Sequence, residues 1–544
     1  MTGFDYDWLV IGSGFGGSVS ALRLAEKGYS VAVLECGRRF TDADFAERTA
    51  DFRRYNWAPH LGMRGILRLS IFRDVFVLSG CGVGGGSLGY ANTLYRARPS
   101  FYDNPQWARL ADWANELAPF YSEAERMLGV ENYDRDGVAD VLLREYAETI
   151  GVGESYKRTP VGVFLGESGK TVPDPYFGGA GPERTGCLRC GSCMIGCRHG
   201  AKNTLMKNYL WFAERLGVEI FSERMVTDVR PLGDGSGADG YEVAHERSGG
   251  ILRREPRTVT ARGVIVAAGA LGTNRLLQRC KLSGSLGRIS DRLGHTVRTN
   301  SEAIISVTAP EASDWNFSDS VAITSSIYTD PDTHIEVVTY GDGGDSQGLL
   351  RQLMVTAGGR GTRPLHFLLA VARHPRQALG AFKIRGMSRR TIILLVMQSL
   401  DNSMRLKVKR RLPNGSVVLT TEQDPLNPNP DSIPAAYDAA RWFAKRIGGT
   451  AYSGVTEAVL GIPLTAHILG GAVIGESPET GVIDARHRVF GYENLLVCDG
   501  AAVPANVGAN PSLTITALAE RALTFVGPKH DQEGSSALSQ ARQF

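Results

Sequence analysis

No apolar run in this chain approaches the roughly 18–20 residues needed to cross a bilayer, so no membrane-spanning helix is expected. Charge of one sign is also missing: a net charge of +3 over 544 residues argues against a dedicated nucleic-acid binder. Cysteine is sparse, with eight residues, and the acidic N-terminus reaches an apolar strand within a few positions, so no secretory signal is expected. Without such a signal these cysteines are not read as a disulfide framework, and the reducing cytoplasm is the expected compartment. No internal repeat is visible. The hydrophobic content of 43% and charged content of 22% are ordinary for a soluble globular protein. The length exceeds what one core usually organises, so two domains are expected.

Glycine, by contrast, is abundant at 65 residues, and much of it falls in motifs. Asp7–Ile11 reads as a short buried strand, followed by Gly12-Ser13-Gly14-Phe15-Gly16-Gly17, a helical stretch Ser18–Lys27, and a second apolar strand Ser30–Leu34 that ends on Glu35. Such glycines let the chain turn tightly and let a pyrophosphate approach the positive end of a helix. An acid about twenty positions on suits a ribose hydroxyl pair. A lone GxGxxG is weak evidence; strand, glycines, helix, strand and acid in register point to a bound dinucleotide.

The pattern then resumes downstream. Lys207–Leu216 reads as a helix, with strands at Gly217–Phe221, Met225–Val229, Tyr241–Glu246 and Val259–Ala268. The last ends on Gly269-Ala270-Leu271-Gly272 and leads into another helix, the order of a doubly wound sheet returning to its ligand. From about Asn300 to Leu460 the character changes to alternating stretches, Ala303–Val307, Ile335–Tyr340, Thr391–Met397 and Ser416–Thr421, read as a largely antiparallel sheet with some helices. Near the C-terminus stand His467-Ile468-Leu469-Gly470-Gly471, then Leu495–Gly500 as a strand ending on Asp499-Gly500, then a helix opened by Pro511. That geometry aims backbone N–H groups and a helix dipole at one place suited to negative charge.

These pieces resemble, in order and over most of the chain, the glucose-methanol-choline (GMC) family of FAD-dependent oxidoreductases, nearest its bacterial cholesterol-oxidase-like members. The resemblance rests on the N-terminal fingerprint, Gly80-Cys81-Gly82-Val83-Gly84-Gly85-Gly86-Ser87-Leu88, the Gly269–Thr273 turn, His467-x-x-Gly470-Gly471, and Asp499 with Asn510-Pro511. It implies FAD rather than NAD. It also implies an α/β fold: a discontinuous Rossmann-like FAD-binding domain (1–95, 200–298 and 462–527) and a substrate domain (299–461) with a largely antiparallel sheet. An insertion (96–199) and a flexible tail (528–544) complete the expected layout. By the same resemblance Gly12, Gly14, Gly17 and Glu35 hold the ADP part, the Val226 backbone meets the adenine, Gly84, Gly85 and Ser87 approach the flavin, and Asp499 and Gly500 hold the ribityl chain. Tyr90 departs from the pattern, since cholesterol oxidases place Asn there.

The chemistry implied is oxidation of a bulky apolar alcohol, sterol or long-chain, with hydride passing to the flavin. His467 suits the hydroxyl proton, and the neutral amide of Asn510 suits the substrate oxygen or the ring. Steroid oxidases of this type also use a glutamate for isomerisation; Glu302 and Glu336 are candidates by rough position, and that activity is left unassigned.

Cys187-x-x-Cys190-x-x-Cys193-x-x-x-Cys197 gathers half of the cysteines within eleven residues. The spacing resembles a ferredoxin run and suits one iron–sulfur cluster ahead of a zinc ion, with two local disulfides or packed free thiols as the plain alternatives. Arg198 stands where such runs carry Pro. A cluster here would make the enzyme a dehydrogenase handing electrons to a quinone or redox protein, with O₂ a side acceptor. The second reading of the chain is accordingly an iron–sulfur flavoprotein serving chiefly as an electron-transfer partner. A third, a non-catalytic FAD scaffold, is opposed by the intact His467 and Asn510.

Between Arg351 and Arg411 stand fourteen Lys or Arg and one acid, Asp401, with Leu365–Ala372 apolar apart from His366. The plain reading is a helical wall of the substrate cavity with solvated basic residues. The alternative is an amphipathic lid in peripheral contact with a membrane.

Overall fold

Two seven-stranded sheets carry the computed structural model, which describes residues 3–249, 254–411 and 416–529. The first is a mixed sheet that contains the parallel strands expected of the fingerprint. Tyr6–Ile11 lies between Val31–Leu34 and the long strand Arg257–Val266, parallel to both, with Glu219–Phe221 added beyond Val31–Leu34. The far side of Arg257–Val266 is shared. Its first half takes Tyr241–Arg247 antiparallel, which in turn pairs Arg224–Pro231, and its last three residues take Leu495–Val497 in parallel. Three separate stretches of chain therefore meet in one sheet, and the C-terminal ends of Tyr6–Ile11, Arg257–Val266 and Leu495–Val497 open at the same place. Ligands of such sheets bind there.

The second sheet is antiparallel throughout. It runs Arg351–Leu353, Thr450–Gly454, Ala303–Thr308, Thr391–Gln398, Thr333–Val338, Ile323–Asp330 and Lys157–Arg158. Its two faces follow the strand period of two. Ile305, Val307, Leu394, Val396, Ile335 and Val337 pack into a core with helices Val138–Thr149 and Pro434–Ile447. Ile304, Ser306, Ile393, Leu395 and Val338 turn the other way and line a cavity.

Several expected elements shift. The first helix begins inside the fingerprint, at Phe15–Glu26. The stretch 207–216 becomes a 3₁₀ turn Leu205–Lys207 and a helix Tyr209–Arg215, broken where the Asn208 side chain accepts from the Tyr209 amide. Ser416–Gln423 does not join the second sheet: it forms a hairpin with Met404–Arg411 in a separate four-stranded sheet with Val297–Arg298 and Leu469–Gly470. Alternation identified the strand, but pairing is set by partners distant in sequence. Of the tail expected at 528–544, residues 530–544 lie outside the described residues; Lys529 is tied by an ion pair to Asp7 at 2.6 Å. Among the described residues no helix is long and apolar enough to cross a membrane.

Candidate active site

The fingerprint glycines have distinct jobs. A Cβ at Gly16 would lie 1.7 Å from the Cys498 carbonyl oxygen, and one at Gly17 would lie 2.1 Å from that of Gly12. These positions let the helix Phe15–Glu26 press against neighbouring backbone. Gly14 differs: its φ is −71°, and a Cβ there would meet no protein atom within 4 Å. It fronts the cavity at the helix N-terminus, where a pyrophosphate approaches. The second glycine loop lies on the first, since a Cβ at Gly85 (φ +52°) would come within 2.6 Å of Gly14 Cα. Ser13 links the two turns: its amide and hydroxyl donate to Glu35 Oε2 at 3.1 and 2.8 Å, and its oxygen accepts from Gly84 N at 3.1 Å.

A cavity of about 400 Å³ extends from Gly14, Phe15 and Gly16 to the apolar face of the second sheet, a size ordinary for small-molecule sites. His467 and Asn510 both border it, with Asp499 and Gly500. His467 is held on its Nδ1 side by Glu302 Oε1, while Glu302 Oε2 accepts from Ala466 N at 2.8 Å. A carboxylate there fixes the proton on Nδ1 and leaves Nε2 as the basic nitrogen. Asn510 Nδ2 donates to Glu336 Oε2 at 3.3 Å, and Asn510 Oδ1 has no protein partner. Burial pushes the Glu336 carboxyl up to about 8, with the neighbouring Glu302 charge adding to the rise. Asp499 accepts from Gly269 N at 2.8 Å, from the Thr273 hydroxyl and from Ala501 N at 2.7 Å; burial raises it to about 6 against those hydrogen bonds. It thereby locks the N-terminus of the helix Gly269–Ser283 to the cavity rim.

The structure thus brings Gly14, Asp499, Gly500, His467 and Asn510 to one cavity. Gly12, Gly17, Glu35, Gly84, Gly85, Ser87 and Val226 do not line it. Glu35 and Val226 lie on adjoining chain, for Arg224 N donates to the Glu35 carbonyl at 2.8 Å. Ser87 turns inward, donating to Gly84 O at 2.7 Å and accepting from Leu205 N at 3.0 Å. Tyr90, the departure from the pattern, lines the cavity edge-on to Phe15 at 5.6 Å.

Sequence reasoning missed the pairing of each glutamate with one of His467 and Asn510. It also missed Arg68, whose guanidinium lies 3.4 and 3.5 Å from the sulfurs of Cys36 and Cys81 at the cavity edge. Those sulfurs stand 3.6 Å apart beside Glu35; the adjacent guanidinium makes the group a poor cation site. In the cysteine run all four thiols are free, and among the described residues no three of their sulfurs lie within 4.8 Å of one another. The basic stretch forms helices Arg363–Arg373 and Pro375–Gly380, with Leu365, Leu368, Leu369, Leu379 and Phe382 exposed.

GMC oxidoreductase models match residues 182–296 and 435–519, and a model for NAD(P)-binding Rossmann-like domains matches residues 10–64. A cholesterol oxidase of Mycobacterium tuberculosis (strain H37Rv) is 49% identical over 531 residues, covering 96% of this chain and 91% of its own. The chain belongs to the GMC oxidoreductase family. A cholesterol oxidase of Acinetobacter baumannii is 46% identical over 540 residues, covering 98% and 96% of the two chains. Among solved structures, pyridoxine 4-oxidase from Mesorbium loti superposes with a TM-score of 0.58 at 16% identity, covering 96% of this chain and all of its own. An FAD-dependent oxidoreductase from Chaetomium thermophilum gives 0.58 at 15%, covering 96% and 98%. At that identity the structural matches speak for the fold alone. As a GMC oxidoreductase the chain is an FAD-dependent alcohol oxidoreductase. Its residues fit that cofactor: Gly14 and Gly269 each front space that a Cβ would enter without meeting protein, both on the cavity wall at a helix N-terminus.

Proposed function

We propose that the chain oxidises a bulky apolar alcohol of the sterol class to its carbonyl. The observation that carries this is the cavity. Its far wall is aliphatic, with Ile304, Ile323, Val338, Ile393 and Leu395, and its polar end holds His467 and Asn510 beside the nucleotide turn. A large apolar body with one hydroxyl group matches that division. The near-full-length relatives named as cholesterol oxidases support a sterol over a linear long-chain alcohol.

In this reading Gly12, Gly14, Gly17, Glu35, Gly84, Gly85, Ser87 and Val226 hold the ADP and flavin approaches, and Asp499 and Gly500 the ribityl chain. Bound FAD supplies the hydride acceptor. His467 Nε2 receives the substrate's hydroxyl proton, Glu302 holds the imidazole in the tautomer that can do so, and Asn510 hydrogen-bonds the reacting oxygen or the ring. The exposed leucines among Arg360, Arg373, Arg376 and Lys383 would meet an anionic bilayer, the natural reservoir of such a substrate. Gln347, Leu350, Arg351 and Met387, which flank that segment, line the cavity, whereas no residue of its two helices does, so they are not the cavity wall expected of them.

The test is anaerobic bleaching of the bound flavin by a panel of sterols, linear long-chain alcohols and small polar alcohols. Sterols are expected to bleach fastest; preference for a linear or polar alcohol would refute the substrate class. Reoxidation by O₂, quinone and dye acceptors then ranks the electron acceptors.

A further inference from the structure

The four-cysteine loop is absorbed by neither the FAD site nor the alcohol cavity. From its geometry we infer that Cys187, Cys190, Cys193 and Cys197 bind a single four-iron, four-sulfur cluster. The loop is built around its sulfurs. Cys187 Sγ accepts from the backbone amide of Arg189, two residues on, at 3.3 Å, and the Ala322 amide donates to Cys193. Amide-to-sulfur bonds of this kind orient and tune thiolate ligands at metal centres. Arg189, Gly191 and Gly196 take positive backbone angles, with φ of 54°, 68° and 104°, so the chain turns between successive cysteines, and Gly200 (φ 75°) turns it again just after the run. Rigid surroundings hold those turns. A Cβ at Gly191 would strike Gly341 N at 2.4 Å, and one at Gly196 would strike the Phe45 ring at 2.2 Å.

Cys187, Cys193 and Cys197 pack into one apolar cluster with Val161, Val163 and Val321, and the ferredoxin-like run of four cysteines favours a cluster over a single zinc ion. Four thiolates also bring negative charge, and a buried cation stands behind them. Lys202 is 1% exposed, and its Nζ donates to the carbonyls of Leu88, Tyr90 and Cys193 at 3.0, 2.8 and 2.9 Å. The same bonds fasten the cysteine loop to the Leu88–Tyr90 segment, and Met194, next to Cys193, lines the alcohol cavity. The cluster would share a wall with the active site.

The experiment uses the full FAD-loaded chain, purified anaerobically and then reconstituted with ferrous iron and sulfide. About four iron and four acid-labile sulfide per chain are expected, with a paramagnetic signal after dithionite reduction. Cys193→Ser and Cys197→Ser should lose most of the iron while keeping the FAD-to-protein ratio. Cys190, the exposed member, gives a variant with little packing to disturb, and Cys190→Ser should lose or alter the same signal. Iron-free protein with intact FAD after reconstitution would overturn the inference. So would one zinc per chain, disulfides between these cysteines, or iron retained in full by all three variants.

Discussion

Replacing Glu302 by glutamine changes one oxygen for one nitrogen at the back of His467. Glu302 is fully buried, and both of its oxygens are used, one on His467 Nδ1 and one on Ala466 N at 2.8 Å. Glutamine cannot satisfy both. If its oxygen stays on Ala466 N, its NH₂ faces Nδ1, which must then accept, and the imidazole proton moves to Nε2, the nitrogen required as a base. If the amide flips, NH₂ opposes the Ala466 N–H, and a buried donor is left unpaired at a cost of about 1–3 kcal/mol. The first outcome removes the tautomer needed in the transition state; the second keeps it, but leaves that buried donor unpaired and takes away the charge behind the imidazolium. Proton transfer by a positioned side chain contributes about 10²–10⁴-fold, so kcat/KM for the alcohol should fall by roughly 10²–10³, or about 3–4 kcal/mol. The assay is anaerobic single-turnover flavin reduction across the neutral pH range, with FAD content and Tm measured alongside. Glu302→Asp, which keeps the charge, should recover part of the rate. A Gln variant with full FAD whose rate stays within about threefold of the parent at every pH would refute the role given to Glu302.

The glycine turn makes a paired prediction. Gly16→Ala places its Cβ 1.7 Å from backbone that cannot yield and should cost roughly 4 kcal/mol or more, read as insoluble or FAD-free protein. Gly14→Ala meets no protein atom and should fold with near-parental Tm but retain little FAD; normal FAD retention would count against pyrophosphate at Gly14. Glu336 predicts a pH dependence. Its folded carboxyl is raised from 4.5 to about 8, so its contribution to stability is full below the unfolded value and is lost as pH rises through about 8, by at most roughly 5 kcal/mol. Glu336→Gln should flatten the fall in Tm over that window, and an unchanged slope would refute the assignment. Replacing Leu368, Leu379 and Phe382, which are 64%, 67% and 65% exposed, with glutamate should cut co-sedimentation with anionic vesicles by about tenfold. Turnover of a soluble alcohol should be unaffected. Equal co-sedimentation of parent and variant would remove the membrane contact.

What was legible in the sequence was local. The turn Gly12–Gly17, the strand that precedes it and Glu35 are contiguous, so spacing alone placed them together. The alternation of Ala303–Thr308 and Thr391–Gln398 likewise marked them as strands with one apolar face. Ser416–Gln423 reads much the same way, yet its partner is Met404–Arg411, in another sheet. The site was legible only as separate parts. His467 and Glu302 stand 165 positions apart, and their meeting depends on a reversal at Asn300 and Ser301, non-glycine residues with φ of 60° and 46°. Backbone held in that region is sparsely populated and persists where the surroundings enforce it. Asn300 is held there by Gly508 N donating to its side-chain oxygen at 3.0 Å and by its own amide donating to Asn506 at 2.9 Å. No period in the sequence reports such a bend, which is why Glu302 and Glu336 looked interchangeable.

The fold makes those two glutamates different. Glu302 faces the imidazole and a backbone amide, and both of its oxygens are used. Glu336 lies fully buried on strand Thr333–Val338, with one long hydrogen bond from Asn510 and an oxygen lacking any partner, and burial holds it protonated through neutrality. The difference suits hydride chemistry. In the proposed reaction the proton would leave toward His467, where the carboxylate behind the ring would stabilise the imidazolium that forms. Bound FAD would gain negative charge on accepting a hydride, and near Asn510 an ionised carboxylate would oppose that charge by about 3–4 kcal/mol at a few ångströms in a medium of intermediate dielectric. A protonated Glu336 removes that opposition while leaving Asn510 anchored. Because the charge on Glu302 itself helps keep Glu336 neutral, the group that would ready the proposed base would also keep the hydride end of the cavity free of charge.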